Sequence, residues 1–203
     1  MKLLLTNDIL LSNAREGTTI GGFLMERKVN VVEDLEGNKI VVIHDIRFKG
    51  RQAIEWNDVE QYLRQYIGEA HIIESTQDMV YIGTDLPEEY SHSNYTKNLK
   101  GANAKAKANA AQGIPEMLTI ADNREYEINR KDKHSKDARY GWYSYVTRFA
   151  LPVYENNGDI ERYNVFRAIL LVRHAENNKL YLYDVMKIKK ETSTHFQSED
   201  FTQ

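Results

Sequence analysis

The stretch RKDKHSKDARYGWYSYVTRF, Arg130 to Phe149, gathers the groups that a phosphate-handling surface requires. Arg and Lys bind phosphate oxygens, Arg as a planar fork and Lys as a point charge. Tyr and Trp offer a base their stacking face. Histidine moves a proton near neutral pH. The same stretch also reads as a solvated basic loop with its aromatics anchored in a core, because charge runs are commonly plain surface.

Metal-independent cleavage of RNA needs a base for the 2′-OH proton, an acid for the 5′ leaving oxygen, and cations for the charged phosphorane. His134 and His174 are the acid/base candidates, and Arg148 and Arg173 complete the candidate catalytic core. Lys131, Lys133 and Arg167 are further candidate phosphate clamps, with Arg139 beside them and Lys105 and Lys107 upstream. Tyr140, Trp142 and Tyr143 stack a base or anchor the loop. In a regular strand Arg167 and Arg173 share one face and His174 takes the other.

Other chemistries find no pattern. There is no GxxxxGK[ST] phosphate loop and no HExxH, and GTTIGG does not fit GxGxxG. The six histidines, at 44, 71, 92, 134, 174 and 195, do not pair at metal-ligand spacing, so neither a metal nor another cofactor is expected. With no cysteine, thiol catalysis, disulfides and Cys-based zinc sites are excluded. Asp184 falls on the apolar face of YLYDV together with Leu180, Leu182 and Met186. A buried carboxylate needs a partner, and an arginine of the neighbouring strand would make a structural pair.

These groups must be positioned by elements that the pattern partly reveals. The 203 residues suffice for one large domain or two small ones. Residues 1–96 carry 9 Lys/Arg against 16 Asp/Glu, a net of −7; residues 97–148 carry 11 against 6, a net of +5; residues 149–203 are near balance at −1. This polarity divides the chain into an acidic α+β region, 1–96, and a basic region, 97–203, unless one domain spans both. Any nucleic-acid contact is expected in the basic middle. The N-terminal apolar run is too short for a signal peptide and no segment is long enough to span a bilayer, so a cytoplasmic protein without membrane partners is expected.

LEGNKI between VNVVED and VVIHDIRF reads as a hairpin. EWNDVEQYLRQYIG reads as a helix over Asn57–Ile67, with Asn57 as N-cap, Glu60 completing a capping box and Gly68 as the stop. HIIEST and DMVYIGTDL read as two strands. KGANAKAKANAAQ, within Leu99–Gln112, has strong helix propensity but few large apolar groups. It is expected at the surface, plain or binding. Four strands follow as a meander, with turns at ENNGD and AENNK. The fold expected is α+β: a mainly antiparallel sheet with two main helices. The tail after Thr192 is polar and expected to fray.

From about Ile43 to Thr192 the chain resembles uncharacterised domains of bacterial phage and conjugative-element proteins. The landmarks are DIRFKGR, LKGANAKAKANAAQGIPEM, KHSKDARYGWYSYVTRFALPV, RYNVF and KLYLYDVMKIKKET. Such domains often sit in large multi-domain polypeptides. By element order and its basic-aromatic loop, the C-terminal half also resembles the barnase–EndoU–colicin–RelE nuclease superfamily. That resemblance implies a small antiparallel sheet packed on a helix, with a metal-independent RNase site on the sheet face or rim. The function expected is thus a mobile-element-associated, nucleic-acid-directed protein, RNase-like and acting on RNA. The alternative is a non-enzymatic module or inhibitor engaging a host protein or nucleic acid, which 13 tyrosines would suit.

Overall fold

The β-branched run KIVVI and its partner VNVVE pair because Asp34 closes the turn between them. Its Oδ1 accepts the backbone N–H groups of Glu36 (3.0 Å) and Asn38 (2.8 Å), and Gly37 takes the positive φ the turn needs. This hairpin is β1 (Val29–Glu33) and β2 (Lys39–Ile43). The computed structural model describes residues 27–50, 53–130 and 137–196, with 192–196 by backbone alone.

Helix α1 (Trp56–Leu63) buries Val59 and Leu63 and runs into a 3-10 turn, Arg64–Tyr66. The expected capping box is not formed. Glu55 holds the cap position without a side-chain bond, and Glu60 instead pairs with Arg64 (2.5 Å) and His92 (3.0 Å). Then come β3 (Ala70–Ile72), β4 (Met79–Ile82), α2 (Leu86–His92), α3 (Asn94–Asn98), α4 (Gly101–Ala110) and α5 (Ile114–Thr119). Ser93 caps α3 by accepting from the Thr96 N–H at 3.2 Å. The chain closes with β5 (Asp122–Glu127), β6 (Trp142–Tyr154), β7 (Ile160–His174) and β8 (Leu180–Phe196).

One mixed sheet holds all eight strands in the order β1-β2-β6-β7-β8-β4-β3, with β5 beside the first half of β6. Successive strands from β5 to β8 pair antiparallel. Two joins are parallel, β2 on β6 and β4 on β8. Through them the acidic front of the chain is built into the same sheet as its basic middle. The fold is α+β. The two expected helices correspond to α1 and α4, and α2, α3 and α5 are additional.

The pairing of β6 with β7 is regular from Trp142↔Arg173 to Val153↔Arg162. Strict alternation therefore sorts side chains between two faces. Tyr145, Phe149 and Leu151 of β6, and Phe166, Ala168, Leu170 and Val172 of β7, point to the main core under the helices. Trp142, Ser144, Val146 and Arg148 of β6, and Arg167, Ile169, Leu171 and Arg173 of β7, point to the other, outer face. Val146, Ile169 and Leu171 are only partly covered there. A smaller core of Ile40, Val42, Ala150, Tyr163 and Val165 closes one end of that face.

Helix α4 is the main departure from the sequence-based expectation. It is a core helix, not a surface one: Ala104, Ala106, Lys107, Ala108, Asn109 and Ala110 are all buried. Its alanines allow close packing against the sheet, and a Cβ on Gly113 just beyond it would come within 2.9 Å of Val41 Cγ1. The missing apolar bulk is supplied by the sheet, so helix hydrophobicity alone misjudged its place.

Candidate functional site

The outer face carries a row of cations across three adjacent strands. Arg148 on β6 pairs in register with Arg167 on β7, and Arg167 pairs with Lys189 on β8. Like charges directly opposite one another destabilise a sheet. Arg148 is relieved by two carboxylates. Glu191 takes it bidentately, at 3.1 Å from Nε and 2.7 Å from Nη2, and Asp34 of the β1–β2 turn takes Nη1 at 2.6 Å. Burial works against the Arg148 charge, but Glu191 and Asp34 outweigh it and hold the guanidinium above its ordinary value. Burial likewise opposes the Asp34 charge; Arg148, with the turn's N–H groups, overrides it and draws the carboxyl down to about 2. Arg167 and Lys189 are exposed, and no partner takes their charge among the described residues.

Beside this row lies a cleft of about 600 Å³. Its place follows from topology: β2 and β5 both border β6 and leave a gap near Thr147. Arg148, Arg167 and Lys39 line it, as do Glu36, Glu74, Asp122 and Glu191. Lys39 is paired with Glu74 at 2.5 Å. The cleft is therefore mixed in charge, with Arg167 as its lining cation without an ion pair among the described residues and Lys189 beside it in the row.

The other end of the outer face is aromatic. Trp142 meets Tyr183 edge-on at 5.0 Å. Arg173 lies 4.7 Å over Tyr181, bonds Asp85 at 3.0 Å and donates to the Asp137 carbonyl at 3.1 Å. Lys179 sits 4.4 Å over Tyr81. Arg148 lies six residue steps along β6 from Trp142, about 20 Å of extended chain.

His174 is on the opposite side of the sheet from Arg148, Arg167 and Arg173, as alternation requires. Its Nε2 is 2.8 Å from Asn178 Oδ1, and its ring lies beside Tyr140 (5.1 Å) and Tyr143 (5.9 Å). Tyr143 also contacts Tyr126 at 5.2 Å. Gly141, at positive φ, makes this rim possible: a Cβ there would meet the Glu127 carbonyl at 2.7 Å. Arg139 pairs with Glu176 and lies over Tyr140.

The described members of the candidate catalytic core are thus not brought together: Arg148 and Arg173 share a face but lie at its two ends, and His174 is across the sheet. His134, Lys131 and Lys133 lie outside the described residues. Lys105 is exposed at the edge of a different cavity. Lys107 is not available to a nucleic acid. It is fully buried, its ammonium 2.5 Å from Asp184 and 2.7 Å from Thr96 Oγ1, with the rings of Tyr90 and Tyr95 at 4.6 and 4.9 Å. Asp184 is buried as expected, but its partner is this lysine from a helix rather than an arginine from a strand. A bulge between Leu182 and Asp184 breaks the alternation of β8, and Met186 pairs across from outer-face Ile169.

Glu191 and Lys189 were missed in the sequence. The alternating charges of KIKKE in a strand-forming segment carried the signal, and only the register with β7 gives it meaning. Among the described residues no group of three or more His, Asp or Glu is arranged to hold a metal, and no helix is long and apolar enough to cross a membrane. No protein family profile matches the chain, and no curated protein matches it.

Proposed function

We propose that this chain is a nucleic-acid-directed protein that takes the phosphodiester backbone on its outer sheet face, in the RNase-like manner expected from its C-terminal half. The observation that carries this reading is the row Arg148–Arg167–Lys189. Three cations in direct register repel one another, and a bound polyanion converts that repulsion into attraction. Metal-independent chemistry fits the row better than it fits His174, which lies across the sheet from it. Glu191, oriented by Arg148, is a carboxylate beside the row and the natural acceptor for a 2′-OH proton. Arg167 would steady the phosphorane, and the Lys189 ammonium would give its proton to the 5′ leaving oxygen. The cytoplasmic, mobile-element setting belongs to the same proposal.

The test is incubation of purified protein with labelled mixed-sequence RNA in EDTA, read on a denaturing gel. Cleavage that falls about 100-fold in Glu191→Gln, while RNA binding persists, is the expected result for a proton-transfer residue. Cleavage untouched by Glu191→Gln and Arg167→Ala would place the chemistry elsewhere.

A second reading, a non-enzymatic module that binds a protein, is favoured by a different observation. Tyr126, Ile128 and Tyr140 stand 54%, 65% and 43% exposed around the start of β6, and Arg139, Arg148 and Arg173 already have carboxylate partners. RNA left intact and unbound, with a partner captured through Tyr126 and Tyr140 and lost in their Ala variants, would establish that reading instead. Binding held by aromatic anchors should also weaken much less with salt than phosphate contacts do.

A further inference from the structure

At the far end of the inner face, the hairpin of β6 and β7, the segment after β2 and the first turns of α4 enclose an open cavity of about 800 Å³. That volume is in the range of small-molecule sites. Its walls are apolar: Ile46, Leu151, Phe166 and Ala106 all line it. Two ammonium groups, Lys49 and Lys105, line it as well, and no carboxylate does. Both lysines are exposed, and no ion pair holds either among the described residues. One polar atom is orphaned there. Asn164 lines the cavity, and its Oδ1 is buried without a hydrogen-bond partner among the described residues. Buried polar atoms are rarely left so, and an acceptor in this position calls for an N–H or O–H donor. Apolar walls, a cationic rim free of acids, and an unmet acceptor together specify a ligand.

We propose that this cavity binds a small organic anion with an apolar ring or chain as its body and an N–H or O–H group directed at Asn164. The apolar body is removed from water against Leu151 and Phe166. The anionic group lies at the rim between Lys49 and Lys105. The site lies on the opposite side of the sheet from the Arg148–Arg167–Lys189 row and does not depend on nucleic-acid binding.

The experiment uses 8-anilinonaphthalene-1-sulfonate, whose aromatic body, sulfonate and N–H match these features, titrated against the folded full chain by fluorescence. Saturable one-site binding is expected. Lys105→Glu should weaken it at least tenfold, and Ala102→Trp, which fills the mouth from an exposed position, should abolish it. Asn164→Leu should weaken it less. Arg167→Ala, on the other face, should leave it unchanged, and circular dichroism checks that each variant stays folded. The neutral analogue N-phenyl-1-naphthylamine should bind at least tenfold more weakly. Non-saturating binding, or binding indifferent to both Lys105→Glu and Ala102→Trp, would overturn the proposal. If Ala102→Trp fails to fold, Lys105→Glu and the neutral analogue decide the matter alone.

Discussion

Two lysine and arginine clusters in this molecule obey opposite rules. In the first, the Lys107 ammonium lies under α4 with its charge matched by Asp184, and hydroxyls fill the remaining hydrogen-bond positions. Ser93 donates to Asp184 Oδ2 at 3.0 Å, Thr96 donates to the Tyr90 carbonyl at 2.6 Å, and the Val185 N–H reaches Asp184 at 2.7 Å. Burial pushes the lysine down and the aspartate up, each restrained by the other. In the second, Arg148, Arg167 and Lys189 stand side by side on an open face, and two of the three have no counter-charge among the described residues. The first cluster is closed and needs nothing from outside. The second is incomplete, and incompleteness of this kind is what a binding surface presents. Charge by itself does not distinguish them, because both are built on basic residues.

The largest effect is expected at the buried pair. Lys107→Met leaves Asp184 buried without a counter-charge and should cost about 3–5 kcal/mol in urea unfolding. Asp184→Leu should cost about as much. The double variant should recover most of the loss, because the desolvation cost of both charges vanishes with them. Additive losses would mean that the two groups do not act as a pair.

At the open row the expected effects are smaller and opposite in sign for stability and binding. Arg167→Gln removes the central repulsion and should leave the protein as stable or more stable, by about 0.2–1 kcal/mol. It should weaken RNA binding by roughly tenfold and lower the salt slope by about one ion. A stability loss would mean that Arg167 has a structural partner and that the row is not primed for an anion.

What the sequence revealed depends on how local each signal is. The β1–β2 hairpin is legible because Asp34, Gly37 and the flanking β-branched runs all lie between Val29 and Ile43. The placement of Arg167 and Arg173 on one face and His174 on the other follows from alternation alone, and β7 is regular enough against β6 to preserve it. Lys107 was misplaced for the converse reason. Its partner is 77 residues away, and although alternation placed Asp184 on the buried face, nothing local marked Lys107 as the group it meets there. Helix α4 likewise is buried by strands that have no mark in its own sequence. The cation row needed three strands in register, so Arg148 and Arg167 could be named as candidates for a phosphate contact while Lys189 and Glu191 could not.

The mildest test concerns how Arg148 is held. Asp34 titrates at about 2, below its ordinary value of 3.8, so folding favours its ionised form. Its stabilising contribution is therefore present above that ordinary value and is lost as pH falls from there toward 2. Arg148→Met removes one of the groups that hold the carboxyl down and leaves the Glu36 and Asn38 N–H groups in place. The Asp34 carboxyl should then titrate higher than in the unaltered chain yet still below an ordinary aspartate, as followed by carbon NMR of labelled aspartate. A titration unchanged by the substitution would show that the turn alone sets the carboxyl. In that case Glu191 is the single effective partner of Arg148. The open row would then offer an incoming phosphate a cation restrained at one side only, where the buried lysine is enclosed on every side.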